Sequence, residues 1–129
     1  MSVLTNPVGW FELYVEDMAR ARSFYEKVFV RTLSDLPLPG ADYSMCVFDS
    51  EPNGKATGAT GALVQHPKMK PGSGGTLIYF MCTDCAVEAQ RAQEHGGAVH
   101  EPKRSIGQYG FIAIVGDTEG NVIGLHSMQ

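Results

Sequence analysis

Apolar residues in this chain fall into short runs and periodic stretches that alternate in a repeating order. Trp10-Phe11-Glu12-Leu13-Tyr14-Val15 is a brief aromatic and aliphatic run, which predicts a strand. Asp17 follows as an N-cap. Met18, Ala21, Tyr25, Val28 and Phe29 then recur on a 3.6-residue period, which predicts a helix with one apolar face and with Arg20, Arg22, Glu26 and Lys27 mostly on its wet side. Beyond the helix, Leu33 to Leu38 and Tyr43 to Phe48 read as strands separated by Pro37, Pro39 and Gly40. A loose loop covers Gly54 to Gly61, and Ala62 to His66 reads as a further strand closed by Pro67.

The order then repeats. Residues 67–75 are rich in proline and glycine and serve as a linker. Thr76 to Thr83 predicts a strand, Asp84 an N-cap, and Cys85 to His95 a helix stopped by Gly96-Gly97. Val99 starts a short strand, Ser105 to Gly110 forms a loop, and Phe111 to Val115 and Asn121 to Ser127 are strands around the turn Asp117-Thr118-Glu119-Gly120. The pattern is βαβββ twice: module one over about 8–66, the linker, and module two over about 76–128, within one domain of 129 residues. The expected class is α+β, with the modules forming a cupped antiparallel sheet, helices on its outer face, and a concave face left for a ligand.

Composition narrows the functions. The chain is 43% hydrophobic and 19% charged, with a net charge of -4, as in ordinary globular proteins. An acidic balance offers no electrostatic footprint for nucleic acid. No apolar run is long enough to span a bilayer, and Met1 to Val8 lacks the pattern of a signal peptide, so no membrane partner and a cytoplasmic location are expected. Three cysteines do not make a disulfide framework.

Strand alternation selects candidate residues. Phe11, Leu13 and Val15 suit the helix side of the first strand, which leaves Trp10, Glu12 and Tyr14 to line the cup. A carboxylate between two aromatic residues is desolvated and can exchange a proton near neutral pH, so Glu12 is the leading catalytic candidate. The same reasoning puts Val122, Gly124 and His126 on the cup face of the last strand, with His126 as a second catalytic candidate, and Ile78, Phe80 and Cys82 on that of the fifth. Gln108 and Tyr109 lie in a glycine-bracketed loop that could close over a ligand. Structural readings stand beside these. Glu12 can equally pair with a cation, His126 can be a half-exposed side chain, and Trp10 and Tyr14 can fill a core. Cys82-Thr83-Asp84-Cys85 has C-x-x-C spacing in the wrong context for a redox or zinc site, Gly54-Lys55-Ala56-Thr57-Gly58 lacks the spacing of a phosphate loop, and His66, His95 and His100 read as solvated.

Val15-Glu16-Asp17, the run Phe24-Tyr25-Glu26-Lys27-Val28-Phe29, Gly96-Gly97 and Asp117-Thr118-Glu119-Gly120-Asn121 together resemble the vicinal oxygen chelate superfamily of glyoxalases, bleomycin-resistance proteins and extradiol dioxygenases, and in particular its small glyoxalase-like branch. The resemblance spans nearly the whole chain. It implies paired βαβββ modules, a pocket for a small organic molecule and a homodimer. In metal-dependent members His, Gln or Glu ligands stand on the first, fourth, fifth and last strands. Here those places fall at Trp10, within Gly61 to Val64, at Ile78 and at Gly124, so no metal and no other cofactor are expected. Val30 replaces the glycine with which members usually end the first helix. The resemblance therefore implies lyase-type or proton-transfer chemistry through Glu12 without a metal, or alternatively non-catalytic sequestration of a small molecule. The missing ligands count against a metal-dependent lactoylglutathione lyase or an extradiol dioxygenase.

Overall fold

A computed structural model describes residues 6–50, 56–72, 74–119 and 121–129. Met1 to Thr5, the Gly54-Lys55 part of the rejected phosphate loop, Ser73 of the linker and Gly120 of the last turn lie outside the described residues. The chain divides into two compact units, Trp10–Thr76 and the described part of Met1–Gly9 with Leu77–Gln129.

In the first unit β1 (Val8–Tyr14) leads into α1 (Met18–Phe29), and β2 (Leu33–Asp35), β3 (Ser44–Phe48) and β4 (Thr60–Gln65) follow, with strand order β2-β3-β4-β1. Asp17 caps α1 as its composition suggests: extended at φ -132°, it accepts a hydrogen bond from the Arg20 N–H at 3.0 Å. One helix face, from Met18 through Ala21 to Tyr25, packs with Leu13, Val15 and Phe48 against the buried Leu33, Cys46 and Leu63. The apolar stripe does not stay buried to its end. Val28 and Phe29 are 53% and 58% exposed, because the sheet core they would cover stops a turn earlier.

The second unit repeats the order. β5 (Thr76–Met81) leads into α2 (Cys85–Glu94), then β6 (Ala98–Ser105), a short 3-10 turn at Gly107–Tyr109, β7 (Phe111–Gly116) and β8 (Val122–Ser127), with strand order β5-β8-β7-β6. Asp84 accepts from the Ala86 N–H at 3.0 Å and so caps α2. Its core gathers Cys85 and Ala89 of α2 with Ala113, Val115 and Leu125 of the strands. In the turn before β8, Asp117 accepts from the N–H groups of Glu119 and Asn121 at 2.8 and 2.9 Å and from the Asn121 amide at 2.9 Å; these bonds hold its carboxyl below its ordinary value.

The α+β class holds, but the sheets are mixed rather than antiparallel. β1 pairs parallel with β4 and β5 pairs parallel with β8, while the remaining pairs within each unit are antiparallel. Connectivity is the reason. A helical crossover returns the chain to start the second strand in the direction of the first, and two reversals bring the fourth back to that direction. Among the described residues no helix is long and apolar enough to cross a membrane.

Val30 takes the place of the expected glycine without changing the backbone there. It is left-handed at φ 52°, 88% exposed, and its N–H and that of Arg31 both reach the Glu26 carbonyl. A left-handed residue with a Cβ costs about 1–2 kcal/mol, and glycine gives back roughly 0.5–1 kcal/mol in unfolded-state entropy. Val30→Gly is therefore expected to stabilise the protein by roughly 0.5–1 kcal/mol, read as a higher urea midpoint at unchanged slope.

Candidate active site

Because α1 takes Leu13 and Val15 of β1, the alternate residues Trp10, Glu12 and Tyr14 stand on the opposite face of the strand. There they converge. The Trp10 Nε1–H donates to Glu12 Oε2 at 3.1 Å and the Tyr14 hydroxyl donates to Glu12 Oε1 at 2.9 Å. Glu12 is 9% exposed and Tyr14 8%. Across the parallel pairing, Glu12 stands beside Ala62 and Tyr14 beside Val64, both buried and apolar.

Burial dominates the electrostatics of the carboxyl. It raises the Glu12 pKa above the ordinary carboxylate value, and the bonds from Tyr14 and Trp10 and the nearby His66 oppose the shift without cancelling it. The group is thus a desolvated acid whose ionised form is still solvated by two fixed donors. Such a carboxylate can take a proton from an adjacent atom and return it.

His66, assigned above to solvent, belongs to this face. On β4 the side chains of Ala62 and Val64 point the same way, and the imidazole continues that row one step beyond the strand. Its ring stacks on Tyr43 at 5.1 Å between centroids and 27° between planes. The Lys68 N–H donates to its Nδ1 at 3.0 Å, which leaves the ring proton of the neutral form on Nε2. An open hollow of about 420 Å³ beside it is lined by Val15, Glu16, Asp42, Gln65, Met69 and Lys70. Counting the period-two rhythm of β4 from Ala62 through Val64 would have found this residue.

The remaining candidates lie in the second unit, and two of them face the wrong way for the role expected. Phe80 and Cys82 pack with Ile123 on the α2 core, and Ile78 shares their side of β5 while 41% exposed. The face away from α2 instead carries Tyr79, whose ring lies against Gly124 so closely that a Cβ there would collide with it. Ile78 and Phe80 therefore do not share a face with Gly124; Tyr79 does. His126 is on that face and its Nε2–H donates to the Tyr109 carbonyl at 2.7 Å, tying the last strand to the 3-10 turn. Gln108 and Tyr109 are exposed on that turn, Tyr109 by 47%.

The residues at the places where metal-dependent members carry their ligands do not fit a metal. Trp10, Gly124 and either Ile78 or Tyr79 supply neither imidazole nor carboxylate at the expected places, and among the described residues no three His, Cys, Asp or Glu side chains gather to hold an ion.

The chain carries the β-α-β-β-β order twice, the architecture of a known class of proteins. The sequence profile of the glyoxalase/bleomycin resistance protein/dioxygenase superfamily matches residues 8–125, and the chain belongs to that superfamily. CFP32 of Mycobacterium bovis, a protein carrying the name glyoxylase, is 29% identical over 120 residues; the match covers 91% of this chain and 44% of that protein. The chain thus spans less than half the length of the curated relatives it matches. Among solved structures, the methylmalonyl-CoA epimerase of Mycobacterium tuberculosis superposes with a TM-score of 0.65 at 13% identity over 95% of this chain and 88% of that one. The Streptomyces coelicolor methylmalonyl-CoA epimerase in complex with 2-nitronate-propionyl-CoA gives 0.69 at 12% over 94% and 96%. At these identities the likeness is one of fold.

The raised Glu12 pKa has a stability signature. A native state that holds this proton more tightly than the unfolded chain gains most from Glu12 below the unfolded value, and loses that gain as pH rises through the native one. The stability of the native chain minus that of Glu12→Gln is expected to fall with rising pH above about 4.5, by at most about 1.4 kcal/mol per pH unit within the window. Urea unfolding of both proteins from pH 4 to 9 checks this; a difference that is flat or rises with pH contradicts it.

Proposed function

We propose that this glyoxalase-superfamily protein is an enzyme that moves a proton at the carbon beside a carbonyl of a small organic substrate, with Glu12 as the acid–base group and no metal in the step. The observation that carries the reading is the buried Glu12 carboxyl with its pKa raised and both oxygens held by Trp10 and Tyr14. In the ionised form, one oxygen takes the proton from carbon while the electron pair moves into the carbonyl as an enolate. The Tyr14 hydroxyl and the Trp10 N–H hold the carboxylate in place, and the same group returns the proton to carbon. Relatives in fold that are named epimerases support this class of reaction, since inverting a centre requires removing and replacing one substituent.

A second reading follows from one feature of the same site. Both Glu12 oxygens already accept hydrogen bonds, which suits a wall that holds a ligand without reacting, as in sequestration. The homodimer belongs with either reading. It is supported by the exposed Phe24, Val28 and Phe29 of α1 and Val30 beyond it.

Proton exchange separates the two readings. In D2O, with a panel of small thioesters and 2-oxo compounds that carry a hydrogen next to the carbonyl, the native protein is expected to introduce deuterium at that carbon. Glu12→Gln is expected to slow exchange by about 100-fold or more, in the range general acid–base groups contribute. Saturable quenching of Trp10 fluorescence by a compound that exchanges no deuterium would favour sequestration.

A further inference from the structure

The hollow beside His66 is not lined by Trp10, Glu12 or Tyr14. About 420 Å³ in volume, it lies within the first unit, where the parallel strands β1 and β4 both end, with Val15, Pro67 and Met69 as its apolar lining. Two adjacent polar residues line it as well, Gln65 at the end of β4 and His66 just beyond.

A backbone N–H holds each of the two by its acceptor atom. The Met18 N–H at the start of α1 donates to Gln65 Oε1 at 3.0 Å, and the Lys68 N–H donates to His66 Nδ1 at 3.0 Å. Both side chains are thereby oriented, and the Tyr43 ring stacked on the imidazole steadies the second. Only donors are left over: the Gln65 amide N–H groups and the Nε2–H of the neutral His66 ring. Among the described residues neither nitrogen has a hydrogen-bond partner in the protein. Gln65 is exposed and His66 half-buried, so both donors are open to a ligand.

We propose that this hollow binds a small uncharged molecule with two carbonyl oxygens, one accepting from the Gln65 amide and the other from His66 Nε2–H. The fixed donors decide the class. Side chains already held by backbone bonds lose little freedom on binding, an advantage that a free surface amide lacks. A cation brings donors to a site that presents donors. An anion meets the carboxylates of Glu16 and Asp42, which outnumber the ammonium of Lys70 in the lining. These three residues are exposed, so water weakens their field and the neutral donors set the preference. A second carbonyl oxygen adds a second hydrogen bond. The site stands whether or not Glu12 reacts.

Four probes built on one five-membered ring test the assignment: N-methylsuccinimide with two carbonyl oxygens, N-methylpyrrolidone with one, the N-methylpyrrolidinium cation, and the cyclopentanecarboxylate anion. Each is titrated into the full chain at neutral pH and followed through the nitrogen NMR signals of the Gln65 side-chain amide and the His66 imidazole. The imide is expected to shift both signals saturably. The pyrrolidone is expected to bind about three- to tenfold more weakly, the effect of one neutral hydrogen bond, and the two ions more weakly still. Gln65→Glu keeps an acceptor for the Met18 N–H and loses the amide donor, while His66→Phe keeps a ring beside Tyr43 and loses the Nε2–H. Each is expected to remove the advantage of the imide over the pyrrolidone. An imide that binds the native chain no tighter than the pyrrolidone overturns the proposal. So does either ion binding as tightly as the imide, and so do imide shifts that miss these two side chains or fail to saturate. Should a variant not fold, the comparison of probes on the native chain decides alone.

Discussion

A strand has two faces and each helix here takes one of them, and that division governs everything at the candidate site. α1 claims Leu13 and Val15 through its contact with Leu33, Cys46 and Leu63, so β1 has no freedom in where it shows Trp10, Glu12 and Tyr14. A slip of one residue would bury a carboxylate among leucines and expose Leu13. The cost of that alternative fixes the register more firmly than any interaction of Glu12 itself could.

Given the register, Glu12 is made tolerable by its own strand. Donors at i−2 and i+2 reach its two oxygens, so the desolvated carboxylate is satisfied locally and needs no distant cation. The pattern Trp-x-Glu-x-Tyr is thus a self-contained unit of sequence. Its cost is the raised pKa, the property on which the proposed proton transfer rests. Removing the carboxyl would break both of these hydrogen bonds at once, so the three residues act as one unit.

The sequence was legible where polarity broke a tie and obscure where it did not. In β1 a single glutamate among apolar residues identified the face away from the helix. β5 reads Thr-Leu-Ile-Tyr-Phe-Met, apolar on both sides, and alternation alone could not say that Tyr79 rather than Ile78 and Phe80 faces away from α2. β6 was hidden by composition. Val99 marked its start, but Glu101, Pro102, Lys103 and Arg104 gave no signal of its length; among the described residues the segment pairs only with β7, at the outer end of the strand order, and register shifts there accommodate the proline. The α1 stripe over-predicted burial because periodicity reports which face a helix could bury, and not how far the sheet beneath it extends.

The duplication itself contains the correction for β5. Glu12 precedes the N-cap Asp17 by five residues, and the residue five before the N-cap Asp84 is Tyr79. On that ruler Phe11, Leu13 and Val15 correspond to Ile78, Phe80 and Cys82, which places the latter three on the helix side, where Phe80 and Cys82 are found. The partners across the parallel pairing agree: Glu12 stands beside Ala62 and Tyr79 beside Gly124, a small residue opposite a large one in each copy. At Gly124 the reason is steric, because the Tyr79 ring occupies the volume a Cβ would need. Matching positions of the two units therefore serve two uses. In one copy it holds an acid with its own donors, and in the other an aromatic ring fills the space, so the chemistry proposed for Glu12 has no counterpart at the matching position of the second unit.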